Sequence, residues 1–251
     1  MRNFFWKFSS PAVFYPVAVR LAPIFALISV TLALAGLYIA FFVAPTDGQQ
    51  GEVYRLIFIH VPAAWMSMVI YVVMAGYALI GLIFRTRLSG MMATAMAPTG
   101  ALFTLIALWT GAAWGKPTWG AWWVWDARLT SELLLLFLYL GYMALHGAFR
   151  DPQRGDRACG ILAMVGLVNI PIIYFSVQWW NTLHQGASVS LARAPSMATS
   201  MLTGMLVMAA SAWMYSIAIS LWRLQALILE REPNRAWLRK YSSADGKDCQ
   251  G

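Results

Sequence analysis

Long uninterrupted runs of apolar residues limit what this chain can fold into more than any other feature. A helix needs about 20 such residues to cross a bilayer, and the chain supplies several runs of that length, starting with Leu21 to Ala44. Of its 251 residues, 60% are hydrophobic and only 11% charged, too little charge to clothe the surface of a water-soluble domain of this size. Backbone exposed to lipid must satisfy its own hydrogen bonds, which leaves helices or a closed barrel. The runs are continuous and rich in Leu, Ala and Met rather than alternating, so they predict helices. The first run is too long for the apolar region of a signal peptide, and the helix is expected to be retained.

Six spans are expected, at roughly 21–44, 56–84, 91–113, 129–149, 158–180 and 200–222. The fold class is an all-α integral membrane protein, one membrane domain over 1–251 with a tail at 223–251. The stretch Phe4 to Arg20, with its aromatics, prolines and basic residues, suits an interfacial segment. Pro171 is expected to kink the fifth span, and Asn169 to bond to a neighbouring helix.

Basic residues orient such a bundle. With six spans, 14 Lys and Arg residues fall on the side of the two termini, and only Arg55, Lys116, Arg128 and Arg193 fall on the other. Both termini are therefore expected in the cytoplasm. The formal charge of +8 is then a topology signal and a contact with anionic lipid, not a nucleic-acid surface, since short loops cannot gather it on one folded face. The two cysteines, Cys159 and Cys249, are far apart, and no C-x-x-C-H motif is present, so the chain is not itself a c-type cytochrome. It also lacks the G-x-x-x-x-G-K-[ST] loop of an ATPase.

The unusual chemistry lies in or beside the three connections opposite the termini, 45–55, 114–128 and 181–199. Five of thirteen tryptophans, Trp114, Trp119, Trp122, Trp123 and Trp125, sit within twelve residues. One or two would be an interfacial belt. Five in one segment suit an apolar platform on which a large planar ligand stacks, whether haem, a quinone or a sterol. Asp126 precedes the fourth span and has the place of a helix cap. Arg128 has Asp126 and Glu132 as structural partners, while Arg55, Lys116 and Arg128 are alternatively placed to meet ligand carboxylates such as haem propionates.

There are three histidines. His60 lies one turn inside the second span, and His184 just beyond the fifth. Both fall at the depth and on the side of the tryptophans, whereas His146 falls at the opposite end and reads as structural. The ordinary reading of each is an inert interfacial polar group. Two at matched depth beside an aromatic segment suit the two axial positions of a haem iron.

The segment Trp114-Gly115-Lys116-Pro117-Thr118-Trp119-Gly120-Ala121-Trp122-Trp123-Val124-Trp125-Asp126-Ala127-Arg128-Leu129-Thr130 resembles the WWD signature of haem-handling proteins. With six spans and one outer histidine on each side of the signature, the chain resembles the CcmC family of cytochrome c maturation, from Leu21 to Leu221. The resemblance implies haem b held by His60 and His184, with Trp114, Trp119, Trp122, Trp123, Trp125 and Asp126 in the platform. It implies presentation of haem at the periplasmic face of a bacterial inner membrane to the chaperone CcmE, alongside CcmD and the transporter pair CcmA and CcmB. Whether attachment of haem to CcmE is catalysed by such a chain stays open. Competing readings are a b-type cytochrome, a haem permease and a quinone-binding membrane protein. The first usually pairs its histidines within the membrane, and the second lacks a polar lining here.

The orientation has a direct test. A topology reporter fused after Thr118 is expected to be active only when it reads the periplasm, and a cytoplasmic signal there overturns the orientation.

Overall fold

The apolar runs satisfy their backbones internally. The computed structural model, which describes residues 9–180, 182, 197–233 and 237, has six helical stretches long and apolar enough to cross a membrane. It is an all-α, six-span membrane protein. Helix α1 spans Pro11–Tyr38 and ends in a π-helical turn, Ile39–Val43. A 3-10 turn, Glu52–Leu56, leads directly into α2, Ile57–Phe84. Helix α3 is Arg87–Trp119 and α4 is Ala127–Gly147. The fifth span is two helices, α5 (Pro152–Gly166) and α6 (Asn169–Trp179), and the sixth is α7, Thr199–Arg231.

Several ends differ from the sequence expectation. Helix α1 begins at Pro11, so the part of the proposed interfacial segment from Pro11 to Arg20 belongs to the first span. Proline at the first helical position costs nothing, because its missing N–H would have had no partner. Helix α3 runs through Pro117 to Trp119, so the tryptophan-rich connection shrinks from 114–128 to 120–126, and Gly115 is helical rather than part of a loop. Gly120 stops α3 in a left-handed conformation (φ 80°), where its N–H caps the carbonyl of Lys116. Helix α7 continues past the expected end at 222 to Arg231, so the first part of the expected tail is helix. The fifth span breaks at Leu167 and Val168, just before Pro171. Pro171 has no N–H to offer the carbonyl of Leu167, which accepts from Ile170 instead (3.1 Å).

Helix α3 is the most buried span and packs against α2, α4, α5 and α7. Its inward face is built from small residues, among them Gly90, Ala93, Ala97, Gly100, Ala101, Thr104 and Ala107. In lipid the neighbours of a helix gain little from apolar burial alone, so close approach and interhelical hydrogen bonds hold the bundle. Tyr139 of α4 lies across Gly100 and donates its hydroxyl to the Ser67 carbonyl of α2 (2.8 Å). A Cβ at Gly100 would fall on the Tyr139 ring. Asn169 donates to the Ser131 carbonyl (2.9 Å), joining α6 to α4 as expected. Helices α1 and α7 clasp through two serines: Ser29 donates to the Ser211 carbonyl (3.0 Å), and Ser211 donates to that of Ser29 (2.8 Å).

At the basic end, Asp156 of α5 binds Arg231 of α7 at 2.8 Å and lies 3.0 Å from Nε2 of His146 on α4. His146 is thus part of an ion cluster joining three spans, at the opposite end from His60.

The packing predicts the cost of one methyl group. Gly100→Ala is expected to destabilise the bundle by about 1–3 kcal/mol through overpacking, read as a lower unfolding midpoint in detergent. Gly76→Ala, where a Cβ meets nothing within 4 Å, is expected to be neutral or slightly stabilising. Equal effects at the two sites would contradict the close approach.

Candidate functional site

His60 sits in the first turns of α2, buried at 9% exposure, with three groups from the last turns of α3 around it. Trp114 lies three residues after Gly111 and four after Thr110, the spacings that bring residues together on a helix, and all three meet the His60 ring. Nδ1 of His60 lies 3.1 Å from the Thr110 hydroxyl oxygen. That hydroxyl is 2.6 Å from the Ile106 carbonyl and so donates to it. The hydroxyl is then left to accept from the ring, which puts the proton of a neutral His60 on Nδ1 and its lone pair on Nε2. Gly111 makes room: a Cβ there would stand 3.0 Å from Cε1 of the ring.

Trp114 is the other wall. It is 5% exposed and meets the His60 ring edge-on, with centroids 5.7 Å apart at 88°. Its indole N–H donates to Gln50 (2.6 Å), and Tyr54 also meets it edge-on (5.6 Å, 85°). Gln50 and Tyr54 come from the connection between α1 and α2. Asp47 folds that connection, accepting from the backbone N–H groups of Gln49 (2.9 Å) and Gln50 (2.8 Å) before Gly51 turns at φ 61°. Trp114 therefore supports His60 from inside the bundle rather than belonging to an exposed surface.

The other four tryptophans are arranged differently. Trp119 ends α3, partly buried over Gly115. Trp122 and Trp125 are open, at 58% and 74% exposure, and Trp123 meets Trp125 edge-on (5.3 Å, 76°). The rings form a faceted apolar rim rather than one flat plane. The Trp123 indole nitrogen is buried without a hydrogen-bond partner among the described residues, an open donor for a ligand's carbonyl or carboxylate oxygen. Trp179 and Trp180, at the end of α6, are exposed at the same end of the bundle, with Trp179 stacked on Phe175 (5.0 Å, 20°).

The polar candidates are engaged by the chain itself. Asp126 is the N-cap of α4, accepting from the Leu129 N–H at 2.8 Å, a contact worth about 1 kcal/mol. Arg55 pairs with Glu52 and donates to the carbonyls of Ala40 and Ala44, tying the end of the first span to the second. Arg128 donates to the Ile173 carbonyl of α6 (2.8 Å), and Lys116 to the carbonyl of Gly120 (3.1 Å). Glu132 is buried in α4 and accepts from Ser67 (2.7 Å). His184 and Arg193 lie outside the described residues.

Sequence reasoning did not find Thr110, Gln50 or Tyr54. Thr110 was accessible in part, since it lies one turn before Trp114 on the same helix face. Nothing in the sequence pairs it with a histidine 50 residues earlier.

Fold and site together define a six-span membrane protein that gathers one buried histidine and a rim of exposed indoles at one end of its bundle. The chain belongs to the CcmC family, described as Heme exporter protein C, which it matches over residues 4–239. It is 47% identical over 232 residues to Heme exporter protein C of Escherichia coli K12, covering 91% of this chain and 92% of that one. It is 42% identical over 238 residues to the protein of the same name from Haemophilus influenzae (93% and 97%). A putative cytochrome c biosynthesis ccmC-like mitochondrial protein of Marchantia polymorpha is 50% identical over 159 residues, covering 63% of this chain and 67% of that one.

Proposed function

We propose that this chain handles haem in cytochrome c maturation. In this reading it holds haem b at the tryptophan-rich end with His60 and His184 as axial ligands and presents it to the chaperone CcmE. CcmD and the transporter pair CcmA and CcmB are its partners in the same complex. The observation that carries the reading is the setting of His60: a buried imidazole with Nδ1 held by Thr110, its lone pair on Nε2, and an indole wall beside it. A histidine ligand whose second nitrogen donates to a fixed acceptor is oriented for an iron. The names of the relatives support the cargo. The bias of basic residues supports an orientation with this end away from the cytoplasm, which in a bacterial inner membrane is the periplasm, within reach of CcmE.

Haem brings an iron with two axial positions and an apolar macrocycle edged by carboxylates. Each part of the site has a matching task. Thr110 and Trp114 fix the ring of His60. His184, five residues after Trp179 in the sequence, would supply the second imidazole. The indoles of Trp119, Trp122 and Trp125 cover an apolar face and exclude water from it. The indole N–H of Trp123 is a donor for a propionate. Asp126 sets the start of α4 and so the span of the tryptophan connection. Arg55 and Arg128 brace the surrounding helices and add positive potential toward the propionates.

An absorption spectrum of the purified protein tests this. Wild type is expected to carry a six-coordinate low-spin haem, altered in His60→Ala and in His184→Ala and unchanged in His146→Ala. Haem indifferent to His60 and His184 overturns the ligand assignment, and a colourless protein turns the reading to a quinone.

A further inference from the structure

The basic end holds a second candidate site, far from the tryptophans. A cavity of about 260 Å³ opens between the end of α2, the start of α3 and the first turns of α5. Arg85, Arg87 and Arg157 line it, together with Gly90, Tyr142 and Asp156. All three arginines are exposed. Arg87 pairs loosely with Glu232, at 3.5 Å. Arg85 and Arg157 have no hydrogen-bond or ion-pair partner among the described residues. The one carboxylate in the wall is spent: Asp156 binds Arg231 at 2.8 Å and lies 3.0 Å from His146. A Cβ at Gly90 would stand 2.6 Å from the Asp156 carboxylate, so that glycine lets the ion cluster lie close against α3.

We infer that this cavity binds a phosphate-bearing anion, and that the source in the membrane is the headgroup of an anionic phospholipid. Guanidiniums that line one cavity suit phosphate oxygens in charge and in hydrogen-bonding pattern. Generic attraction between basic loops and anionic lipid needs no cavity, so the shared cavity and the two arginines without a partner among the described residues are what mark a site. Ile83 and Phe84, the two residues before Arg85, are 61% and 53% exposed and offer acyl chains an apolar wall beside the headgroup. The backbone supports the same geometry. Arg85 ends α2 in a left-handed conformation (φ 53°), and a two-residue turn brings the first arginine of α3 beside it.

The test is a native mass-spectrometry titration of the full-length protein with phosphatidylglycerol and with phosphatidylcholine. Wild type is expected to retain one phosphatidylglycerol in preference to phosphatidylcholine. The double variant Arg85→Asn/Arg157→Gln is expected to hold it on the order of 30-fold more weakly, the effect of losing two arginine contacts. Asparagine is chosen at position 85 because it tolerates the left-handed backbone. Arg150→Gln/Arg154→Gln removes the same charge from the same end outside the cavity and is expected to leave retention unchanged. If the first double variant fails to fold, Arg157→Gln alone carries the test. A parallel arm adds inorganic phosphate to lipid-free protein in detergent. Protection from unfolding that depends on Arg85 and Arg157, without preferred lipid retention, assigns the same site to free phosphate. Equal loss in both double variants, or no preference for either anion over phosphatidylcholine, overturns the proposal.

Discussion

Water is absent from the middle of a bilayer, and every other feature of this protein follows from that. With no solvent to bond peptide groups, each apolar run must close its own hydrogen bonds as a helix. With no gain from apolar burial between helices, the bundle is held by how closely backbones approach and by the few polar groups that bridge them. Helix α3 meets both demands. Its glycines and alanines admit Tyr139 and the flank of α2, and the Ser29–Ser211 clasp joins the first span to the last.

That close approach also makes the site. Because α2 and α3 are joined by a two-residue turn at the basic end, they run side by side to the other end. There Gly111 leaves room for an imidazole, Thr110 accepts its proton-bearing nitrogen, and Trp114 closes the side. Polar chemistry is divided between the two ends of the bundle. One end has a buried histidine and a rim of indoles. The other has arginines around an ion cluster of Asp156, Arg231 and His146.

The number of spans, their approximate places and the nearness of His60 to the tryptophan segment were legible in the sequence, because hydropathy and residue rarity are local signals; His184, expected beside the same segment, lies outside the described residues. Helix ends were not. Hydropathy falls where charge or proline begins, yet α3 continues through Pro117 and α7 through Arg223, since a helix leaving the apolar layer can still close its backbone bonds. The roles of the five tryptophans divided for a related reason. Trp114 is a buried support because α3 carries it one turn beyond Thr110, and the sequence alone had placed it in a loop. The sequence offers Arg128 the carboxylates of Asp126 and Glu132, and offers both Arg128 and Arg55 those of a ligand. Their partners are main-chain carbonyls of distant segments, Ala40 and Ala44 for Arg55 and Ile173 for Arg128, and carbonyls leave no trace in side-chain identity.

The central claim is that α3 holds His60 with its proton on Nδ1 and its lone pair on Nε2. Nitrogen NMR of the haem-free protein, labelled at its three histidines, reads this directly. The account predicts a protonated Nδ1 and a lone pair on Nε2 for His60, with the preference lost in Thr110→Val. A ring protonated at Nε2, or one whose state ignores Thr110, would contradict it.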